Sequence, residues 1–196
     1  MTTANKVTIF RILLIPFFVV EVLYYVREGA TLHRWLAVGT FLFASICDGV
    51  DGYIARRFNQ RSELGALLDP LADKLLLVSG IVLLSLNNEP YLAQLPLWFT
   101  GTVIGRDMLL LIGLIVIYVM AGRPVIRPRW IGKTATVLQM GVVLWILLKL
   151  PESLFLMLAV LGACLTGLSG ILYILDGIKQ LSAHPTSSAG TPPTGS

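Results

Sequence analysis

Long apolar stretches alternate with short polar segments along almost the whole chain. Each stretch is close to the roughly 20 residues that an α-helix needs to cross the hydrocarbon core of a bilayer. The pattern predicts six such helices, at roughly 8–26, 35–56, 66–86, 96–121, 134–150 and 153–178. The predicted fold is therefore an all-α integral membrane bundle of six transmembrane helices.

Composition agrees with this pattern. Hydrophobic residues make up 56% of the chain and charged residues only 13%, whereas about a quarter of the residues in a soluble domain are charged. So little polar surface leaves no room for a basic track, and we expect no nucleic-acid partner. The predicted environment is the lipid bilayer.

The last residues differ from the rest. Residues 182–196 are small, polar and rich in proline, and such a segment cannot bury enough apolar surface to offset the entropy of ordering it. We therefore predict a membrane domain at 1–181 and a disordered tail at 182–196.

The basic residues predict the orientation. With six helices and a cytoplasmic N-terminus, ten Lys and Arg residues of the connecting segments lie on the cytoplasmic side, against Arg27, Arg34 and Lys149 opposite. Cytoplasmic loops carry an excess of Lys and Arg, so both termini are predicted to be cytoplasmic.

Acidic residues concentrate in one stretch. Residues 48–73 hold four aspartates and one glutamate, out of 11 acidic residues in the chain. Asp48 and Asp51 are three residues apart and share a helix face, and Asp69 and Asp73 recur four residues apart on the next helix. A short polar connection makes the two helices adjacent and antiparallel. We therefore expect four carboxylates around one cavity at the cytoplasmic face.

Four clustered carboxylates need counter-charge. Like charges at close range repel, and an ionised carboxylate in lipid is costly. Two divalent cations would resolve both problems, and an all-oxygen ligand set favours Mg²⁺, with Mn²⁺ or Ca²⁺ as alternatives, over zinc. Because Mg²⁺ commonly binds substrate phosphates as well, the substrate should carry a phosphate or diphosphate.

The residues around the aspartates suit such a ligand. Gly52 and Ala55 leave room on the aspartate face, and Gly65 either does the same or lets two helices pack closely. Arg56 is placed to hold phosphate or carboxylate oxygens in a fork. The alternatives are that the small residues only serve helix packing and that the first aspartate pair lies at a solvated helix end.

This stretch resembles a known family signature. The residues from Asp48 to Arg56 and, after eight residues, from Gly65 to Asp73 match D-x2-D-G-x2-A-R-x8-G-x3-D-x3-D at every fixed position. That pattern is typical of the CDP-alcohol phosphatidyltransferase family. The resemblance extends to the six helices, to an N-terminal "FRILLIPFF" and to a later "IGKTATVLQ".

The resemblance implies an enzyme that transfers the phosphatidyl group of CDP-diacylglycerol to an alcohol and releases CMP. It also implies two divalent cations, a homodimer and, from the similarity to bacterial members, the bacterial inner membrane. The implied roles are metal binding by Asp48, Asp51, Asp69 and Asp73, CDP binding by Asp48, Gly52, Ala55, Arg56 and Gly65, and general base catalysis by Asp73.

The acceptor alcohol is less clearly encoded. The phrase "LGALLDPLADKLL" resembles members that use glycerol 3-phosphate, whereas "QRSELG" and "RDMLL" resemble members that use phosphatidylglycerol to make cardiolipin. We place glycerol 3-phosphate first. Candidates for binding its phosphate are Arg106, Arg123, Arg127, Arg129 and Lys133.

Each acceptor candidate has an alternative. Arg106 lies inside an apolar helix, where an ionisable residue suggests a functional site; the alternative is a local structural pair with Asp107. The basic stretch at 123–129 could be a membrane-surface patch. Lys133, which follows Gly132 at the start of the fifth helix, is the favoured phosphate ligand.

Two other protein classes also place carboxylates in membranes. Intramembrane prenyltransferases use aspartate-rich helices with Mg²⁺, but their paired motifs lie far apart in the chain. Transporters place charged sites near the membrane midplane on broken helices, whereas this cluster is predicted at the cytoplasmic edge. Both classes fit the pattern less well.

Overall fold

The chain folds into six α-helices in a computed structural model, which describes residues 3–57, 63–86, 88–121 and 130–183. The helices are α1 (Thr3–Glu28), α2 (Thr31–Arg57), α3 (Glu63–Ser85), α4 (Leu97–Ala121), α5 (Trp130–Leu147) and α6 (Glu152–Ala183). Each helix coincides with one predicted apolar stretch, and the described residues include no strand. The all-α helical bundle is confirmed.

Three of these helices contain stretches that are long and apolar enough to cross a membrane among the described residues: Ile9–Glu28, Trp130–Leu147 and Ser153–Ile178. Within the described residues of α2 and α3, shorter apolar stretches lie at Thr31–Cys47 and Lys74–Ser85. Large apolar side chains lie widely exposed on the bundle surface, as a lipid-facing surface requires. The protein is a membrane protein, and crossing by α2, α3 and α4 stays a prediction.

The predicted tail begins slightly too early. Helix α6 ends at Ala183, so residues 182 and 183, predicted to belong to the tail, are helical. Helix ends commonly shift by one or two residues between criteria. Residues 184–196 lie outside the described part of the chain.

The six helices form two groups of three. Helix α1 packs broadly against α2 and α3, and α6 packs broadly against α4 and α5, while the contacts between these groups are narrower. We call α1–α3 the first half and α4–α6 the second half. One apolar core joins them, with Phe18, Phe41 and Ile81 from the first half and Phe99 and Val143 from the second.

Polar side chains inside each half are paired across helices. His33 Nδ1 lies 2.7 Å from Glu21 Oε2 between α2 and α1. Gln139 Nε2 donates to Thr166 Oγ1 at 2.7 Å between α5 and α6. Lipid tails are as apolar as the helix surfaces, so apolar burial alone does not favour association of helices in a membrane. Interhelical hydrogen bonds therefore help to stabilise such helix pairs.

Two helix ends show how one end of the bundle is closed. Gly29 has φ of 70°, and its N–H donates to Tyr25 O at 2.8 Å, which ends α1 in a left-handed cap. Lys149 has φ of 55°, and Leu150 N donates to Trp145 O, a Schellman ending that separates α5 from α6. The Lys149 ammonium lies 5.5 Å from the Tyr25 ring centroid, so both turns lie at one end, which we call the Gly29 end.

Replacing Gly29 with alanine should destabilise the protein. A Cβ at this position would overlap the Tyr91 ring and would also sit at a φ that L-residues avoid. Together these effects should cost about 1–3 kcal/mol and lower the melting temperature by roughly 2 °C or more. The matched control is Gly39→Ala in α2, where no described atom beyond the surrounding helix backbone lies within 4 Å of the added Cβ. An unchanged melting temperature for Gly29→Ala would contradict this account of the turn.

Candidate functional site

The aspartate stretch lies where α2 ends and α3 begins. The last turns of α2, which continues to Arg57, carry Asp48, Asp51 and Arg56. The N-terminal part of α3 carries Asp69 and Asp73. Positions 48 and 51 lie one turn apart on α2, and positions 69 and 73 one turn apart on α3. The two helices contact each other. The predicted arrangement of two aspartate pairs on neighbouring helices is therefore present in the backbone.

The structure describes only the backbone of residues 48–57, 63–71 and 73. The roles predicted for the side chains of Asp48, Asp51, Asp69 and Asp73 stay predictions, as do those of Gly52, Ala55, Arg56 and Gly65. Among the side chains that are described, no group of three or more His, Cys, Asp or Glu residues is placed to hold a metal ion.

Arg106 is buried in the second half. Its side chain is 8% exposed, and Nη1 donates to Asp107 Oδ1 at 2.7 Å. Nη2 donates to Ser169 Oγ on α6 at 3.2 Å, and the guanidinium carbon lies 5.9 Å from the centroid of the Tyr173 ring. Nε is buried and has no hydrogen-bond partner among the described residues. The local pair with Asp107 exists, but it satisfies only part of this side chain.

Two glycines make room for Arg106. A Cβ on Gly132 of α5 would lie 3.2 Å from Arg106 Nη2, and a Cβ on Gly170 of α6 would lie 3.3 Å from Arg106 Cγ. The arginine therefore occupies a slot between α4, α5 and α6. A larger residue in place of either glycine would narrow this slot. Gly132 is in the first turn of α5, where backbone N–H groups have no partner within the helix. The slot therefore brings a guanidinium close to a helix N-terminus, an arrangement suited to an anion.

A second cation reaches the same carboxylate from α3. Lys74 Nζ lies 2.5 Å from Asp107 Oδ2, while the other oxygen of that carboxylate accepts from Arg106. Asp107 is 15% exposed and Lys74 38% exposed. Two cations share one carboxylate, so the group of Lys74, Arg106 and Asp107 keeps one formal positive charge beside the aspartate helix.

The remaining acceptor candidates do not join this group in the described structure. Lys133 is exposed, and its ammonium lies 5.4 Å from the Trp130 ring centroid. Its neighbour Gly132 faces Arg106 instead, because successive residues point about 100° apart around a helix. Arg123, Arg127 and Arg129 lie outside the described residues.

The family model for CDP-alcohol phosphatidyltransferases matches residues 1–168, which include both aspartate pairs and the Arg106 slot up to its α6 wall. The chain belongs to the CDP-alcohol phosphatidyltransferase family. It is therefore an enzyme of that class, and the resemblance inferred from the motif is confirmed.

Curated relatives carry a more specific name within this family. The chain is 31% identical over 176 residues to the CDP-diacylglycerol–glycerol-3-phosphate 3-phosphatidyltransferase of Shigella flexneri serotype 5b (strain 8401), covering 90% of this chain and 91% of the relative. It is 34% identical over 140 residues to the enzyme of the same name from Escherichia coli (strain K12), covering 71% of this chain and 73% of the relative. The similarity extends over most of both proteins.

Several residues around Arg106 were not predicted from the sequence. Lys74 and Asp107 are charges within apolar helices, but no sequence pattern pairs them, since 33 positions separate them. Ser169, Gly170 and Tyr173 carried no signal at all within the apolar α6. Gly132 was noted only as the residue before Lys133. The one signal that pointed to this place was the intramembrane arginine itself.

Proposed function

We propose that this chain transfers the phosphatidyl group of CDP-diacylglycerol to glycerol 3-phosphate, releasing CMP, in phospholipid biosynthesis. The observation that carries the choice of acceptor is the buried, partly unsatisfied Arg106 in its slot beside the first turn of α5. A guanidinium with a free donor, a helix N-terminus and a net positive charge suit a phosphorylated acceptor. The name carried by the relatives from Shigella and Escherichia supports the same choice.

The chain's own residues divide the work of the reaction. Arg56, with Gly52 and Ala55 leaving space beside it, would hold oxygens of the CDP group. Arg106 would hold the phosphate of the acceptor so that its hydroxyl approaches the phosphatidyl phosphorus. Asp73 would take the hydroxyl proton as the new oxygen–phosphorus bond forms and the bond from phosphorus to the CMP oxygen breaks. Positioning and electrostatics supply most of the catalysis in such transfers.

Divalent cations are part of the proposal. The two aspartate pairs offer only carboxylate oxygens, which fit Mg²⁺ and, less closely, Mn²⁺ or Ca²⁺. Two such ions, held by Asp48, Asp51, Asp69 and Asp73, would neutralise charge on the diphosphate and on the departing CMP. Turnover should therefore stop when EDTA is added and return with Mg²⁺. Full activity in EDTA would exclude this role.

An acceptor comparison tests the proposed reaction. Purified protein with CDP-diacylglycerol and Mg²⁺ should release CMP when glycerol 3-phosphate is added, and much more slowly with phosphatidylglycerol, inositol phosphate or serine. Release with phosphatidylglycerol but none with glycerol 3-phosphate would identify a cardiolipin synthase instead. No CMP release with any alcohol would reject the reaction class and reopen the prenyltransferase and transporter alternatives.

We also propose that the protein lies in the inner membrane of a bacterium. The end of the bundle that carries the four motif aspartates, which we call the aspartate end, would face the cytoplasm. Arg27, Arg34 and Lys149, the three basic residues assigned to the outer side, lie at the Gly29 end, and Arg34 and Lys149 stack on Trp35 and Tyr25. Basic residues with aromatic neighbours are typical of an interface. A reporter fused after Ala183 should stay cytoplasmic, and a periplasmic signal would reverse the topology.

A homodimer is proposed from the family resemblance and would be tested by the mass of the detergent-purified protein.

A further inference from the structure

The two halves of the bundle carry different parts of the proposed chemistry. All four motif aspartates belong to α2 and α3 in the first half. Arg106, the proposed acceptor ligand, belongs to α4 and is held by Ser169 of α6 in the second half. Transfer therefore requires the two halves to keep a fixed separation at the aspartate end, although the contacts between them are narrow.

One ion pair joins the halves there. Lys74 of α3 and Asp107 of α4 lie 2.5 Å apart. This ion pair connects the first half to the second, whereas the pairs of His33 with Glu21 and Glu28 link α2 to α1.

Each member of the pair is next in the chain to a residue of the proposed site. Lys74 follows Asp73 in the chain, so their Cα atoms are about 3.8 Å apart. Asp107 follows Arg106 and accepts a hydrogen bond from its guanidinium at 2.7 Å. The Asp107 carboxylate thus contacts both Lys74, the neighbour of the proposed base, and Arg106, the proposed ligand of the acceptor phosphate.

A second polar contact between α3 and α4 lies further along the bundle. The hydroxyls of Ser85 and Thr100 contact each other at the Gly29 end. Residues 74 and 85 are eleven positions apart on α3, which corresponds to about 16 Å along the helix. The hydroxyl contact is too distant to fix the separation near Asp73, where the Lys74–Asp107 ion pair is a described polar contact between the two helices.

We propose that Lys74 and Asp107 are positioning residues that hold the acceptor phosphate site on α4 in register with the proposed base on α3. The inference rests on the proposed function and deepens it. The CDP group would be bound by residues of α2 and α3 alone, so loss of the pair should disturb acceptor use and leave CDP-diacylglycerol binding intact. A misplacement of about 1 Å can lower a rate about 100-fold.

Lys74→Met is the sharpest variant. It removes the ammonium, keeps an unbranched apolar stem of similar length and leaves the Arg106–Asp107 contact in place. In the full-length protein, kcat/KM for glycerol 3-phosphate should fall about 10- to 100-fold, with the KM for CDP-diacylglycerol unchanged. Lys74→Arg, which keeps the charge, should stay within about threefold of the wild type.

A double-mutant cycle tests whether the two residues act as one unit. Adding Lys74→Met to Asp107→Asn should cost no more than Asp107→Asn alone, since the contact is already lost. Thr100→Val is the matched control, because it removes the polar contact between the same helices at the Gly29 end and should leave both KM values unchanged. Multiplying effects in the double variant would overturn the inference.

The remaining outcomes also decide the question. Unchanged kinetics in a folded Lys74→Met protein would overturn the positioning role, and so would equal increases in both KM values with a lowered melting temperature, which indicate general destabilisation. If Lys74→Met does not fold, Lys74→Gln provides the same kinetic comparison with a hydrogen-bond donor retained. If the wild type uses only phosphatidylglycerol, the proposed function fails, while the same kinetic comparison with that lipid still decides this inference.

Discussion

Replacing Asp73 with asparagine should reduce CMP release from CDP-diacylglycerol by about 10³-fold or more. The change removes the proposed base, and loss of general base catalysis alone typically costs 10²- to 10⁴-fold. It also removes one of the proposed metal ligands. The fold should persist, because the substitution keeps the side-chain volume and removes one of four clustered negative charges.

The control for this variant lies on the same helix. Glu63 is the acidic residue of the stretch that stands outside the family signature, and it belongs to the first turn of α3. Glu63→Gln makes the same chemical change and should keep CMP release within about twofold of the wild type. Retained turnover in a folded Asp73→Asn protein would remove Asp73 from the mechanism.

Replacing Arg106 with methionine should mainly weaken use of the acceptor. The variant removes a buried guanidinium that donates to Asp107 and Ser169. A lost hydrogen bond to a charged group costs about 1.5–3 kcal/mol, so kcat/KM for glycerol 3-phosphate should fall roughly 10- to 100-fold. The KM for CDP-diacylglycerol should change little, and steady-state kinetics with each substrate varied in turn measures both.

This prediction separates two roles for the arginine. A purely structural pair with Asp107 would lower the melting temperature and disturb both substrates alike. Arg34→Met is the matched control, since Arg34 stacks on Trp35 at 5.1 Å near the Gly29 end and should leave the kinetics unchanged. An acceptor KM unaffected by Arg106→Met would exclude Arg106 as the phosphate ligand.

The sequence predicted the helices and the aspartate stretch because both signals are local. Six apolar stretches of membrane-spanning length correspond to six helices, and the motif spacing alone places two aspartate pairs one turn apart on α2 and α3. The boundary between α5 and α6 is weak in the hydropathy pattern, because only residues 151 and 152 separate the two predicted stretches. The structure shows its physical cause in the left-handed Lys149 and in Pro151 just before α6.

The surroundings of Arg106 could not be predicted in the same way. They depend on how α4, α5 and α6 pack, which brings Gly132 and Gly170 to one side chain. Charge drew attention to Lys133, yet the rotation of α5 turns its uncharged neighbour Gly132 toward the arginine. A glycine in an apolar helix has no sequence signal that distinguishes a slot for a side chain from ordinary helix packing.

The Lys74–Asp107 pair shows the same limit. Each residue is a charge within an apolar helix, which the sequence reveals, but their contact depends on the relative height and rotation of α3 and α4. Only the three-dimensional structure shows that one carboxylate contacts both Lys74 and Arg106.

The most direct test follows labelled glycerol 3-phosphate into lipid. Purified protein is incubated with CDP-diacylglycerol, Mg²⁺ and labelled glycerol 3-phosphate, and the label in the organic phase is compared with the CMP released. The account predicts equal amounts of lipid-bound label and CMP, and neither product with Asp73→Asn or in EDTA. Label that stays in the aqueous phase while the protein is folded and Mg²⁺ is present would contradict it.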